Sequence, residues 1–592
     1  MWSTVRRDQL PRDVLMDISA NEVARQSVSF DGLSSNGEQL VWVETGRDGP
    51  GIFTWAAASG AKEHGVCASS RLHAYGGGAV AIQPDRLWVV DARDGGIWDA
   101  GASAPLSPKA GTFGDLAAAD GHLLAVSEGA EGDDLISIDL EGDACRELLS
   151  APFISSPRWF DGRIAWVSWS ADVMPWDSCR LWTADWSGHG ALGPARLVAG
   201  GLDESVAEPR WSPDGVLHFV SDRTGWWNLY RWTEQHSVEA VAPMEAECAA
   251  AQWEHGYSSY TFLSDGTIAI LAHRGPLQQL MTVGTEGKLT EIPLPYTAIK
   301  PYLASVGSKI ALIGASPTLP QQIALVDATS GEVEVLRSAA EIPDAAQISV
   351  PEILTCDSDG NQIVIAYYAS NGSEPVGTIV RAHPGPTYQL ELRLDWETQF
   401  LTSSGFAVAD VDYRGSTGYG RAFRTALNGN WGHFDVNDCV AAAKFLVTSG
   451  KASSDSLVIF GASGGGLTAL KAVTADSTPF AGAVARSPIV SPRSWVTTAP
   501  RFQRPHAATL LSPHSELFAE AFRRPVAIVH GGEDPVAPVA DVRSLVSGLR
   551  RRNADVHYLE LDEVGHFPSG KALVETLEFE LQAFKKFVQS RR

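Results

Sequence analysis

Three features of the sequence predict an all-β propeller of seven blades followed by an α/β-hydrolase domain. β-rich units recur through the first part of the chain. Strands alternate with amphipathic helices after about residue 349. A glycine-flanked serine sits between an apolar strand and a helix in that second part. At 592 residues the chain is too long for one domain, and its 44 % hydrophobic content is that of a globular protein.

The propeller is expected over residues 29–348. Short apolar runs broken by Asp-Gly and Gly-rich turns recur at Leu40–Val43, Ala79–Ile82, Leu123–Val126, Ile164–Val167, Leu217–Val220, Ile268–Leu271 and Ile310–Ile313. The spacing is roughly 40 to 50 residues, the length of a four-stranded blade, which favours a propeller over a two-sheet sandwich. Second strands follow at Leu229–Trp232 and Ile323–Asp327.

The hydrolase domain is expected over residues 349–592. Val436, Val440, Ala443 and Val447 fall on one helical face, as do Val542, Leu545, Val546 and Leu549, and then Leu577, Leu581, Phe584 and Val588. Helices alternating with strands imply a largely parallel sheet covered on both faces. Within it, Leu457–Phe460 leads into Gly461-Ala462-Ser463-Gly464-Gly465 and a helix-compatible run, the strand–turn–helix context of a nucleophile elbow. Ser463 is therefore the candidate nucleophile.

Its partners should follow in the order acid, then histidine. Five histidines lie beyond Ser463: His506, His514, His530, His557 and His566. His557 sits inside a strand and His530 ends one. His566 lies in a loop before the last helix, where a general base has the freedom to approach the serine. Asp534 follows the strand Pro525–His530, at the carboxyl end where open α/β sheets place their sites, and Glu533 is the competing carboxylate. Oxyanion donors are expected from the N–H groups of Gly464 and of Gly385, in the turn His383-Pro384-Gly385-Pro386.

Asp412-Tyr413-Arg414-Gly415-Ser416-Thr417-Gly418-Tyr419-Gly420, Trp431-Gly432 with Asp435 and Asp438, His530 to Asp534 and Gly565-His566 together resemble the prolyl oligopeptidase family of serine peptidases. Its acylaminoacyl-peptidase and dipeptidyl-aminopeptidase branch is the nearest likeness. Trp211-Ser212-Pro213-Asp214-Gly215 and the run from Phe219 to Tyr230 are similar to a propeller motif of that branch. Pro384 departs from the usual His-Gly-Gly-Pro oxyanion loop, and the stretch Arg486–Leu511 does not align with the family pattern. The resemblance implies the triad Ser463, Asp534 and His566, and a segment over residues 1–28 that packs on the hydrolase domain. It also implies a preference for short peptides.

A formal net charge of −24 disfavours a nucleic-acid partner and favours approach by cationic ligands. Six scattered cysteines without C-x-x-C spacing suggest a reducing compartment and no metal site. The sequence shows neither a secretory leader nor an apolar run of about 18 residues, so a cytoplasmic chain without membrane contact is expected. Acyl transfer through Ser463 needs no metal or organic cofactor. The expected activity is release of N-terminal residues from short peptides or aminoacyl amides. An acylaminoacyl peptidase or esterase-like amidase acting on blocked substrates is the alternative, and a non-catalytic propeller platform a third. A free amine needs a carboxylate, for which Glu204, Glu208, Glu245 and Glu247 are candidates. Trp227 is a candidate pocket wall, and Arg414 either holds a substrate carbonyl or braces the oxyanion loop. Asp435 and Asp438 read as helix N-terminal acids. Whether the chain forms a homo-oligomer is left open.

Overall fold

A computed structural model describes residues 18–590 apart from 47–48, 103, 108–110, 143, 234–235, 345–346 and 373. The first 17 residues of the expected N-terminal segment therefore lie outside the described residues, as do two positions near the expected domain switch. Seven antiparallel sheets follow one another among the described residues: five of four strands, one of three and one of five. Each of the seven apolar runs read from the sequence falls in a different sheet, and six of them lie on a strand paired on both sides, the kind a blade buries most completely. Every sheet is made of consecutive strands, and among the described residues no strand exchange closes the ring. Closure comes from packing of the first blade on the last: Phe30, Leu40 and Trp42 share a cluster with Tyr302, Ile313 and Leu325.

The catalytic domain is built on one eight-stranded sheet. Its strands are β1 (Glu352–Ser358), β2 (Asn361–Tyr368), β3 (Gly377–Ala382), β4 (Phe406–Asp412), β5 (Leu457–Ala462), β6 (Ala483–Arg486), β7 (Val526–Gly531) and β8 (Val556–Leu561). They lie in the order β1-β2-β4-β3-β5-β6-β7-β8. β2 pairs antiparallel with β1 and with β4, and the remaining pairs are parallel. The five central strands are apolar on both faces, as burial under two helical layers requires.

One layer is the C-terminal helix Gly570–Gln589 with the short N-terminal helix Ala20–Gln26. Ile18, Ala20 and Val23 join Leu573, Leu577 and Phe584 in a single cluster, which ties the start of the described chain to the catalytic domain. Ser19 opens that N-terminal helix with a reciprocal capping box to Glu22.

The helix Phe434–Thr448 departs from the expected stripe. It buries Asp435, Asp438, Cys439, Ala442, Ala443 and Leu446, while Val436, Val440 and Val447 stay half-buried. The face is rotated because two carboxylates take core positions, where each has dedicated donors. Asp435 accepts from Gly432 N at 2.8 Å and Thr468 Oγ1 at 2.6 Å. Asp438 accepts from Ser358 Oγ at 2.6 Å and pairs with Arg414 at 2.7 Å. Asp435 does lie in the first helical turn, as expected, Asp438 lies one turn further on, and both are buried pins.

Candidate active site

Ser463 stands at the junction of β5 and the helix Ser463–Ala472, with a φ of 50° that few L side chains adopt. Glycines make the turn possible. A Cβ on Gly461 would lie 2.0 Å from the Gly465 carbonyl oxygen, and one on Gly465 would lie 2.4 Å from that of His383. Gly464 is as constrained: its Cβ would meet the Pro384 carbonyl oxygen at 2.9 Å. The turn His383–Pro386 therefore closes directly over the helix N-terminus, where N–H groups lack intrahelical acceptors. One of them, from Gly465, donates to the Pro384 carbonyl at 3.3 Å. Tyr413 holds the same turn from the other side, stacking on His383 at 4.1 Å and donating its hydroxyl to the His383 carbonyl at 3.0 Å. Gly385 and Gly464 both line the cavity that holds Ser463.

His566 Nε2 lies 3.0 Å from Ser463 Oγ, and its Nδ1 lies 2.7 Å from Asp534 Oδ2. The other carboxylate oxygen of Asp534 accepts the N–H groups of Val536 at 2.8 Å and Ala537 at 2.9 Å. Both oxygens are thus committed, and the imidazole tautomer is set. Burial opposes the charge on Asp534, but its hydrogen bond to His566, the charge of that ring and the two backbone donors prevail, holding its pKa below the ordinary value. Glu533, the competing carboxylate, is exposed. Burial, above all, lowers the pKa of His530, which hydrogen-bonds the Ala537 carbonyl at 2.9 Å and so supports the Asp534 turn.

The cavity around Ser463 has a volume of about 260 Å³. Its walls come from both domains: Tyr75, Trp253, Glu254 and Tyr257 from the propeller, and Trp431, Ile489, Trp495, Gln503 and His506 from the catalytic domain. A wider cleft of about 490 Å³ between the domains shares Glu254, Tyr257 and Tyr388 with it. Glu254 is half-buried; burial first, and then the charge of Asp31, raise its pKa. Tyr302 Oη donates to it at 3.2 Å, and the nearby Lys300 pairs with Asp31. Glu254 was not among the carboxylates singled out from the sequence.

The four that were singled out stand elsewhere. Glu204 pairs with Arg223 at 2.7 Å and accepts from Ser221 at 2.6 Å. Glu208 is buried and spends both oxygens on Ser259, with burial raising its pKa to about 7. Glu247 accepts from Trp227 N at 2.7 Å and Gly420 N at 3.1 Å, joining the domains, and Glu245 is exposed. Trp227 is fully buried under the Arg424 guanidinium at 3.9 Å and forms no part of the cavity wall. Arg414 is also away from the wall. It binds Asp438 and Asp359 and stacks on Phe434 at 4.1 Å, so it fixes the chain after β4 while the adjacent Tyr413 grips the His383–Pro386 turn.

The segment Arg486–Leu511, opaque in the sequence, joins the two domains at the cavity rim. Arg501 reaches into the propeller and ion-pairs Glu128 at 3.1 Å and the buried Asp133. Phe502 stacks on His73 at 5.1 Å. His73, Glu128 and Asp133 form a cluster of metal-type donors among the described residues, and the Arg501 guanidinium already supplies its positive charge. No helix among the described residues is long and apolar enough to cross a membrane.

Residues 392–591 match the prolyl oligopeptidase family. Dipeptidyl peptidase family member 6 of Caenorhabditis elegans is 30 % identical over 212 residues, 32 % of this chain and 28 % of that protein. Dipeptidyl aminopeptidase BIII of Pseudoxanthomonas mexicana is 28 % identical over 211 residues, 32 % of this chain and 30 % of that protein. These alignments span less than a third of either relative's length. A solved structure of a puromycin-hydrolyzing peptidase from Mycobacterium tuberculosis is 29 % identical, superposes with a TM-score of 0.89, and covers 98 % of this chain and 97 % of its own. Residues 392–591 therefore make up a prolyl oligopeptidase family domain.

Proposed function

We propose that the protein is a serine aminopeptidase that releases N-terminal residues from short peptides or aminoacyl amides. The observation that carries this reading is the Ser463–His566–Asp534 chain of hydrogen bonds, opening on a small two-domain cavity that also presents the Glu254 carboxylate. His566 Nε2 takes the proton from Ser463 Oγ as that oxygen adds to the substrate carbonyl, and Asp534 stabilises the imidazolium that forms. The N–H groups of Gly464 and Gly385 receive the oxyanion. The imidazolium then gives its proton to the departing amine, and water, deprotonated by the same ring, releases the acyl group.

Glu254 supports the exopeptidase reading. Its carboxylate has only partial compensation in the wall, and a substrate ammonium supplies the missing charge. The cavity volume suits one residue and not a folded chain, and the adjoining cleft offers a route of entry. Six free thiols, four of them buried, fit a reducing compartment, and we place the protein in the cytoplasm on that basis.

The reading is tested with aminoacyl and N-acetyl-aminoacyl p-nitroanilides in parallel, using Ser463→Ala as the blank. Faster turnover of the free-amine series supports it. Faster turnover of the acetylated series moves the protein to acylaminoacyl-peptidase chemistry and removes Glu254 as anchor.

A further inference from the structure

Three residues that line the catalytic cavity each carry a buried polar atom with no hydrogen-bond partner among the described residues: Trp431 Nε1, Gln503 Oε1 and His506 Nε2. Their residues are 0 %, 3 % and 2 % exposed. A buried polar atom left unpaired forfeits its hydration without recompense, so three around one cavity form a costly arrangement unless something arrives to pair them. None belongs to the Ser463–His566–Asp534 chain. Gln503 and His506 lie on the segment that the family pattern does not explain.

Two of the three donor and acceptor roles are fixed. Gln503 Nε2 donates to Tyr75 Oη, which leaves Oε1, an acceptor, as the free end of the amide. Trp431 Nε1 only donates. Burial drives the pKa of His506 down to about 3, so its ring is neutral and Nε2 serves as either donor or acceptor. Around these atoms the wall is aromatic: Tyr75, Trp253, Tyr257, Trp431 and Trp495 line the same space. Trp253 and Trp176 meet the His506 ring edge-on at 5.4 and 5.3 Å, which holds it in place.

We infer that this wall binds the side chain of the substrate's N-terminal residue and reads a hydroxyl on an aromatic ring, so that Gln503 makes the enzyme prefer tyrosine to phenylalanine. A phenol donates to Gln503 Oε1 and accepts from Trp431 Nε1 or His506, while its ring packs on the aromatic walls. An aliphatic side chain leaves all three atoms unpaired. A carboxylate meets the lone pairs of Gln503 Oε1 with no lysine or arginine among the lining residues. An ammonium or guanidinium cannot accept from the indole. The inference rests on the aminopeptidase reading of the same site.

The experiment measures kcat/KM for tyrosine, phenylalanine and leucine p-nitroanilides with the wild type and Gln503→Leu. A site built around a hydroxyl rejects the analogue that lacks it, so a tyrosine-to-phenylalanine ratio of at least about ten is expected in the wild type, falling toward unity in the variant. Because each ratio is taken within one protein preparation, loss of folded enzyme cancels. If Gln503→Leu does not fold, Gln503→Asn, which withdraws the same oxygen, must lower the ratio. A wild-type ratio near unity, or one that survives the substitution, overturns the inference while leaving the aminopeptidase intact. Absence of turnover on all three substrates instead overturns the aminopeptidase reading on which it rests.

Discussion

Replacing Asp534 with asparagine changes one atom, and the structure dictates the consequence. Oδ1 of Asp534 is committed to two backbone donors, Val536 N at 2.8 Å and Ala537 N at 2.9 Å, so an asparagine must keep its oxygen there. Its amide nitrogen then faces His566 Nδ1, where Oδ2 now accepts at 2.7 Å. Two donors cannot share that contact. The imidazole must turn Nδ1 into the acceptor and carry its proton on Nε2, 3.0 Å from Ser463 Oγ. In that tautomer the ring cannot take the serine proton. The expected loss is about 10⁴-fold in kcat, or about 5.5 kcal/mol of barrier, with KM little changed. The assay is steady-state hydrolysis of an aminoacyl p-nitroanilide, with fluorophosphonate labelling as a second readout. The depressed pKa of Asp534 adds a sign. Its charge stabilises the fold above the ordinary aspartate value of 3.8 and ceases to do so as pH falls through the lower folded value. The stability gap between wild type and variant should therefore close on acidification. An Asp534→Asn enzyme within tenfold of wild type in kcat would refute the tautomer argument.

Three further outcomes follow from other parts of the site. Glu254→Gln should lower the ratio of free-amine to acetylated turnover by about tenfold or more, and in the wild type the KM for free amines should rise on acidification earlier than an ordinary carboxylate would give, since its pKa is raised; an unchanged ratio rules out the anchor. Asp412 is buried, with its pKa pushed up to about 7 mainly by that burial, so its contribution to stability is lost as pH rises from about 4 to about 7, a swing of roughly 4 kcal/mol. Asp412→Asn keeps an acceptor for Leu390 N and should flatten the pH dependence of thermal unfolding over that range; a slope equal to wild type contradicts this. Arg501→Ala leaves the carboxylate of Asp133 buried without its guanidinium partner, a change of about 3 kcal/mol that should appear as a lower unfolding temperature and a raised KM through a looser rim; no shift in either would show that the contact does not couple the domains.

The seven propeller blades were readable because each has one strand that must be apolar, and such a strand announces itself by run length alone. The serine, aspartate and histidine that the structure brings into one hydrogen-bonded chain could be picked out because a strained turn requires glycines and because the loops of Asp534 and His566 sit at sheet ends marked by strand patterns. What lay beyond sequence was whatever depends on distant segments meeting. Glu254 reaches the cavity only because the propeller rim folds over Ser463, and nothing adjacent to it in the chain says so. Glu204 and Glu208 fitted the chemistry but are consumed by Arg223 and Ser259. On the helix Phe434–Thr448, hydrophobic periodicity pointed to the valines, whereas the buried face is set by Asp435 and Asp438, whose partners come from other elements. Arg486–Leu511 carried no pattern because it serves the domain junction and not a regular element.

The central claim is that Ser463 is the nucleophile of this cavity, and active-site labelling tests it most directly. Folded wild-type protein treated with a fluorophosphonate, digested and mapped by mass spectrometry should carry the adduct on Ser463, with labelling and p-nitroanilide turnover lost together in Ser463→Ala. An adduct on another residue, or turnover that persists in Ser463→Ala, would contradict the account.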